Sequence, residues 1–145
     1  MKRFLILLAP CVLIACAQES SDGNTQARPE PADLASAMAN ADAKAGERTY
    51  LLCQSCHTLN EGGLNKVGPN LYGFYGSPAA QADGFIFSEA LSDAGISWDE
   101  ETLDRWLTNP STTVPGTTMI FVGISDQQQR ADLIAYLRSA TAEVP

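Results

Sequence analysis

The sequence holds one histidine in 145 residues, which excludes any site built from two or more histidines of this chain. Basic residues are scarce: Lys and Arg number 9 against 17 Asp and Glu, for a formal net charge of -8. Nucleic-acid phosphates must be met by cations, so no nucleic-acid partner is expected. Long apolar runs are missing too. The longest, residues 4–15, has twelve residues without a charge and is short for a bilayer span. No internal repeat and no convincing period-2 alternation occurs, and helical spacing dominates. What is present suits one folded domain: the chain is 45% hydrophobic, too apolar for a wholly disordered one.

Three segments follow from the patterning. Residues 1–15 begin with Lys2 and Arg3 and continue into the apolar run, the shape of an export signal. The run ends Leu13-Ile14-Ala15-Cys16, which resembles the lipobox of bacterial lipoproteins. In that family the signal is cut before the Cys and its thiol receives a diacylglycerol, a durable anchor once two or three acyl chains are attached. An ordinary signal cleaved nearby, or an uncleaved anchor, is the alternative. Loss of residues 1–15 removes two cations and no acid, so the net charge falls from -8 to -10. Ala17 after the Cys, rather than Asp, leans towards outer-membrane sorting. Residues 16–41 are small and polar, with Pro29 and Pro31 and no aromatic residue. They read as a flexible tether with a mean reach of roughly 25–30 Å, shorter if the Ala-rich residues 33–43 extend the first helix.

The folded unit is expected over residues 42–145, all-α, with short helices and long Gly- and Pro-rich loops. One helix should lie over residues 42–52. A second should open at Ser97-Trp98-Asp99-Glu100, carry Leu103, Trp106 and Leu107 on one face, and stop near Asn109-Pro110. A third should open at Ser125-Asp126-Gln127-Gln128 and repeat Leu133, Ile134 and Leu137 at helical spacing. So few short helices make a thin core, which implies that something besides side chains fills it.

Cys53-Gln54-Ser55-Cys56-His57 is a C-x-x-C-H, the attachment pattern for c-type haem. Two thiols three positions apart on one helical turn can each add to one of haem's two vinyl groups, and the adjacent His supplies an imidazole nitrogen to the iron. A structural zinc would need four N or S ligands, but the folded unit has two Cys and one His. A dithiol of the thioredoxin kind would need a β-α-β setting. A disulfide would leave His57 unexplained. With no second His, the sixth ligand points to Met119, since Met1 leaves with the signal and Met38 sits in the tether. A thioether favours ferrous iron and raises the potential. The competing account of Met119 is a gap-filling core residue.

Over residues 43–145 the chain resembles class I cytochromes c of the mitochondrial and short bacterial type. The resemblance is carried by the C-x-x-C-H, Val67-Gly68-Pro69-Asn70-Leu71-Tyr72-Gly73, Gly95-Ile96-Ser97-Trp98, Pro115-Gly116-Thr117-Thr118-Met119-Ile120-Phe121 and Asp132-Leu133-Ile134-Ala135-Tyr136-Leu137. It implies the cytochrome c fold around one covalently bound haem. The Pro69 carbonyl would accept the His57 ring N–H, Trp98 would donate to a haem propionate, Thr117 would sit near the inner propionate, and Phe121 would shield the haem edge beside Met119. Gly46, Tyr50, Leu133 and Tyr136 would join the first and last helices, although plain core packing accounts for Tyr50 and Leu133 equally well. Ser77, Phe87 and Leu91 stand where relatives often carry an Arg, a Tyr and an Asn near the haem. A lost cation lowers the potential and a drier pocket raises it. Thr112, Thr113 and Thr118 stand where relatives carry lysines, so steering into an acidic docking site should be weak.

The resemblance implies a membrane-tethered single-electron carrier, not an enzyme, exported and held by acylated Cys16 to a membrane facing the periplasm or cell exterior. Its expected partners are the lipid bilayer and membrane redox complexes: a cytochrome bc-type donor and a terminal oxidase or other acceptor. The alternatives are a fixed electron-entry subunit of an oxidase or reductase, a gas sensor, or a haem peroxidase.

Overall fold

Every helix begins where a side-chain oxygen meets a backbone N–H that has no partner within the helix. The computed structural model describes residues 31–141; the signal segment and Cys16 lie outside them. Asp33 caps α1 (Leu34–Ala39) and Asp42 caps α2 (Ala43–Tyr50). Ser88 caps the single turn α3 (Glu89–Ser92). Asp99 accepts from the Thr102 amide at 2.7 Å and opens α4 (Glu100–Thr108). Asn109 ends α4 and caps α5 (Pro110–Thr113), where Pro110 occupies a position that needs no N–H. Asp126 accepts from the Gln129 amide at 2.8 Å and opens α6 (Gln127–Ala140). Among the described residues there is no strand, only an isolated bridge between Pro78 and Ser97. The all-α expectation holds.

The caps differ from the sequence expectation by one or two residues. Ser97 does not open α4, because its segment is held in that bridge and in the Trp98 N–H to Ser77 carbonyl bond of 2.9 Å. Asp99, next in line with a free carboxylate, takes the cap. Ser125 gives way to Asp126 in the same manner.

α6 is the spine. Leu133 and Ile134 are fully buried in its middle, and Leu137 continues the same cluster. α2 lies directly against it. A Cβ on Gly46 would overlap the Asp132 carbonyl, so the two backbones touch, and Tyr50 and Tyr136 meet one turn on with ring centroids 5.7 Å apart. α4 adds Leu103, Trp106 and Leu107 to the cluster. Its first turn is pinned to the end of α6 by Arg138 Nη1 and Glu100 Oε1 at 2.7 Å.

Packing against α6 starts before residue 42, within the Ala-rich residues 33–43. α1 docks on α6: Ala37 is fully buried and its carbonyl accepts from Gln128 Nε2 at 2.9 Å. The Asp42 amide donates to Asp132 Oδ1 at 2.8 Å, and Met38 packs against the core. This stretch is too polar to fold alone, but small alanine side chains let it lie close on a helix that already exists. Among the described residues no helix is long and apolar enough to cross a membrane.

The hydrogen bonds from the Thr102 backbone hold the Asp99 carboxyl below its ordinary 3.8. Its contribution is therefore complete above that value and lost as pH falls through the lower folded value. Asp99→Ala should cost about 1 kcal/mol at neutral pH. Denaturant unfolding of the holoprotein should show the difference from wild type shrinking as the pH drops below 3.8.

Candidate functional site

Beyond α2 the chain keeps turning. The Cys56 and His57 amides both donate to the Cys53 carbonyl at 3.0 Å, which stacks the two thiols and the imidazole on one turn. Burial, and then the neighbouring Cys56, push the Cys53 thiol up to about 11, so it stays protonated. Both cysteines are free of any disulfide.

The His57 ring is gripped from several sides. Its Nδ1 lies 2.8 Å from the Pro69 carbonyl. A carbonyl can only accept, so Nδ1 carries the hydrogen and Nε2 keeps its lone pair. Burial pushes the imidazole below its ordinary value against the Pro69 bond, and nearby Lys66 adds to the lowering, so the ring is neutral. Gly68 has to be glycine: a Cβ there would overlap the imidazole. The Tyr50 hydroxyl donates to the His57 carbonyl at 3.0 Å. Burial, with Cys53 and Tyr136, pushes that phenol up to about 12, so it remains a donor. Tyr50 thus does more than pack, since it ties the α2–α6 contact to the histidine. Lys66 adds a bond that sequence reasoning missed, donating from Nζ to the Gln54 carbonyl at 2.6 Å and closing the open end of the turn.

Cys53, Cys56 and His57 form one side of a crevice of about 420 Å³, and Met119 lines the same space. The lining is apolar and includes Phe74, Leu91, Leu103 and Leu137. Pro69, Trp98, Thr117 and Phe121 line it as well, so the described residues expected to surround the cofactor share one crevice. Trp98 stands edge-on to Trp106 at 5.2 Å, and its indole N–H finds no acceptor among the described residues. Thr117 Oγ1 accepts the Met119 amide at 3.3 Å, leaving the hydroxyl hydrogen free to point elsewhere. Ser77 spends its hydroxyl on the Phe74 carbonyl at 2.6 Å, while Phe87 and Leu91 present hydrocarbon to the crevice.

The loop that carries Met119 is stapled behind. Gly123, at φ +89, sits so close to the Thr108 carbonyl that a Cβ would overlap it. The Ile124 amide donates to the Leu107 carbonyl at 2.9 Å. Arg130, only 6% exposed, donates from Nη1 to the Ile124 and Ser125 carbonyls at 2.8 Å each, and from Nε to Asp104 at 2.7 Å. One buried guanidinium thereby joins α4, α6 and the end of the loop. Nothing in the sequence paired Arg130 with Asp104, which lie 26 residues apart on different helices.

Comparison with known proteins decides the family. The cytochrome c profile matches residues 43–141. This chain belongs to the cytochrome c family. It is 42% identical over 118 residues to cytochrome c of Theileria parva, covering 81% of this chain and 99% of the relative. It is 40% identical over 102 residues to cytochrome c2 of Blastochloris viridis, covering 70% and 80%. The solved structure of cytochrome cH from Methylobacterium extorquens superposes with a TM-score of 0.64 at 45% identity, covering 68% of this chain and 99% of that one. The cofactor is covalent haem c, attached in this family at the C-x-x-C-H that Cys53 and Cys56 supply here. The residues present fit it, with an apolar crevice, two free thiols at its wall and a neutral imidazole held flat on Gly68. Such proteins carry electrons rather than transform a substrate.

Removing one partner of a buried ion pair strands the other charge. Arg130→Met should therefore cost about 3–5 kcal/mol. Replacing Asp104 by Leu as well should restore part of the loss. Denaturant midpoints of the two holoproteins compare these directly; a double variant no more stable than the single one would rule this account out.

Proposed function

We propose that this cytochrome c is a lipid-anchored, single-electron carrier whose iron is held by His57 and Met119. The observation that carries the reading is the placement of both side chains on one apolar crevice, with His57 oriented by the Pro69 carbonyl 2.8 Å away. Bound there, haem supplies reversible one-electron transfer.

The chain's own residues then have separate tasks. Cys53 and Cys56 hold the ring by thioether bonds. His57 offers Nε2, and the Pro69 bond fixes its tautomer and plane. Met119 offers a thioether from the opposite loop, and the Arg130 and Gly123 staples limit how far that loop can swing. Trp98 and Thr117 have donors free for the propionates. The remaining walls exclude water, which keeps reorganisation small when the charge changes. Among the described residues no Asp, Glu, Lys, Arg or second His lines the crevice. This supports a carrier over a peroxidase.

The anchor rests on residues 1–16, with Cys16 acylated, and places the domain outside the cytoplasmic membrane. The partners on this reading are membrane redox complexes: a bc-type donor and a terminal oxidase or comparable acceptor. Tethering raises effective concentration near such partners and stands in for the long-range attraction that an acidic carrier lacks.

Met119→Ala should abolish the near-infrared thioether-to-iron charge-transfer band of the ferric protein and lower its potential, with thioether attachment intact by haemochrome spectrum. A band that survives would sink Met119 ligation. Cys16→Ser should move the protein from the membrane fraction to the soluble one and remove the acyl mass from its N-terminal peptide. In stopped-flow with donor membranes the released form should be reduced several-fold more slowly at equal concentration; equal rates would count against the role of the tether.

A further inference from the structure

Gln128 is buried on the first turn of α6 and does not line the crevice. Its side-chain amide donates to the Ala37 carbonyl at 2.9 Å and to Asp132 Oδ1 at 3.1 Å. The same Asp132 oxygen accepts the Asp42 amide at 2.8 Å. Gln128 and Asp132 together thus hold α1 at one end and the start of α2 at the other. Ala37 is fully buried and Met38 packs on the core, whereas Asp33, Ala39 and Asn40 are exposed. The cytochrome c profile begins at residue 43, so α1 lies outside the matched part of the chain. A helix of six residues does not persist alone in water, so α1 is helical only while it is docked. Residues 33–41 therefore have two states, folded on α6 or released as plain chain.

We propose that α1 is a clasp that sets the length of the membrane leash and so the distance over which this carrier exchanges electrons. The inference rests on the lipid-anchor reading. With α1 docked, 16 residues lie between Cys16 and the cap Asp33; with α1 released, 25 lie between Cys16 and Asp42. At no more than about 3.6 Å per residue, the first leash spans at most about 58 Å and the second about 90 Å. Docking therefore shortens the farthest reach by about a third. It also brings the leash to the first turn of α6, beside Gln128. Effective concentration at a membrane partner falls as a leash lengthens beyond the span it must cover, roughly as the -3/2 power of its length. The clasp thereby favours partners whose electron-exchange site lies close to the bilayer over those that stand far above it.

The test uses the full-length holoprotein in membranes of the producing cell, with its oxidation by those membranes as the readout. Three variants separate leash length from the docked contact. Ala37→Glu puts a carboxylate in a fully buried position and releases α1, seen as faster amide hydrogen exchange over residues 34–39. Nine Gly and Ser residues inserted between Pro31 and Ala32 lengthen the leash with α1 still docked. Deletion of residues 33–41 removes the clasp but keeps 16 residues between Cys16 and Asp42. The Ala37→Glu and insertion variants should match each other at about one half to three quarters of the wild-type rate, and the deletion should match wild type. All should keep the wild-type potential and rate with ferricyanide. In a Cys16→Ser background the four proteins should react alike. An insertion variant as fast as wild type would overturn the proposal. So would a deletion as slow as Ala37→Glu, because α1 would then act as a contact and not through length. Differences that persist in the Cys16→Ser background would reduce α1 to a folding element and overturn it too. A wild-type protein with no acyl mass on Cys16 would instead refute the anchor reading, and the clasp with it.

Discussion

The backbone contact between α2 and α6 at Gly46 sets the geometry of everything that follows. Because residue 46 has no side chain, α2 rests on the Asp132 carbonyl, and one turn later Tyr50 reaches Tyr136. The cysteine turn begins where α2 ends, so its position over the apolar face of α6 is a consequence of that crossing. The same Tyr50 that closes the helix contact donates to the His57 carbonyl. A shift of one helix against the other would carry the thiols and the imidazole with it. A packing constraint in the spine is thereby also a constraint on the site.

The opposite wall is built on different physics. Between the end of α5 and the start of α6 the chain has little regular structure, and Met119 sits in the middle of it. Its placement comes from fastenings behind the loop: Gly123 on the end of α4, and Arg130 on two carbonyls and Asp104. A buried guanidinium with three acceptors gives direction, which apolar packing does not. The two walls, one fixed by helix contact and the other by a polar clamp, leave between them the apolar space that haem c completes. The thin core anticipated from a hundred residues of short helices is the expected counterpart of that arrangement.

Some of this was legible in the sequence and some was not, for identifiable reasons. The C-x-x-C-H needed only local spacing, and residues 53–57 do form one turn. The later helices could be read from apolar residues at helical intervals, and Pro110 marked the end of α4. The caps slipped because Ser97 and Asp99 are both competent, and only the bridge to Pro78 decides between them. α1 was hidden in the tether because its stability is tertiary: the acceptor on Ala37 meets a glutamine 91 residues away. Arg130 and Lys66 were hidden for the same reason. Their partners are carbonyls or a carboxylate brought near by the fold, and a backbone carbonyl leaves no signature in a sequence.

The chain is acidic, and the structure gives part of that charge a location. The acids lie where they do local work, as caps at Asp99 and Asp126 and as ion-pair partners along α4. No Asp, Glu, Lys or Arg is among the residues that line the crevice. Electrostatic steering accelerates encounter over distances up to a Debye length, roughly 8 Å at physiological salt, and helps most when carrier and partner must find each other in three dimensions. A carrier tied to the partner's membrane has already made most of that search. For it the costly step is desolvating the faces that meet, and an uncharged face is the least costly to desolvate. On the proposed anchoring, an acidic body is therefore no handicap: the tether supplies the proximity that long-range attraction would otherwise supply.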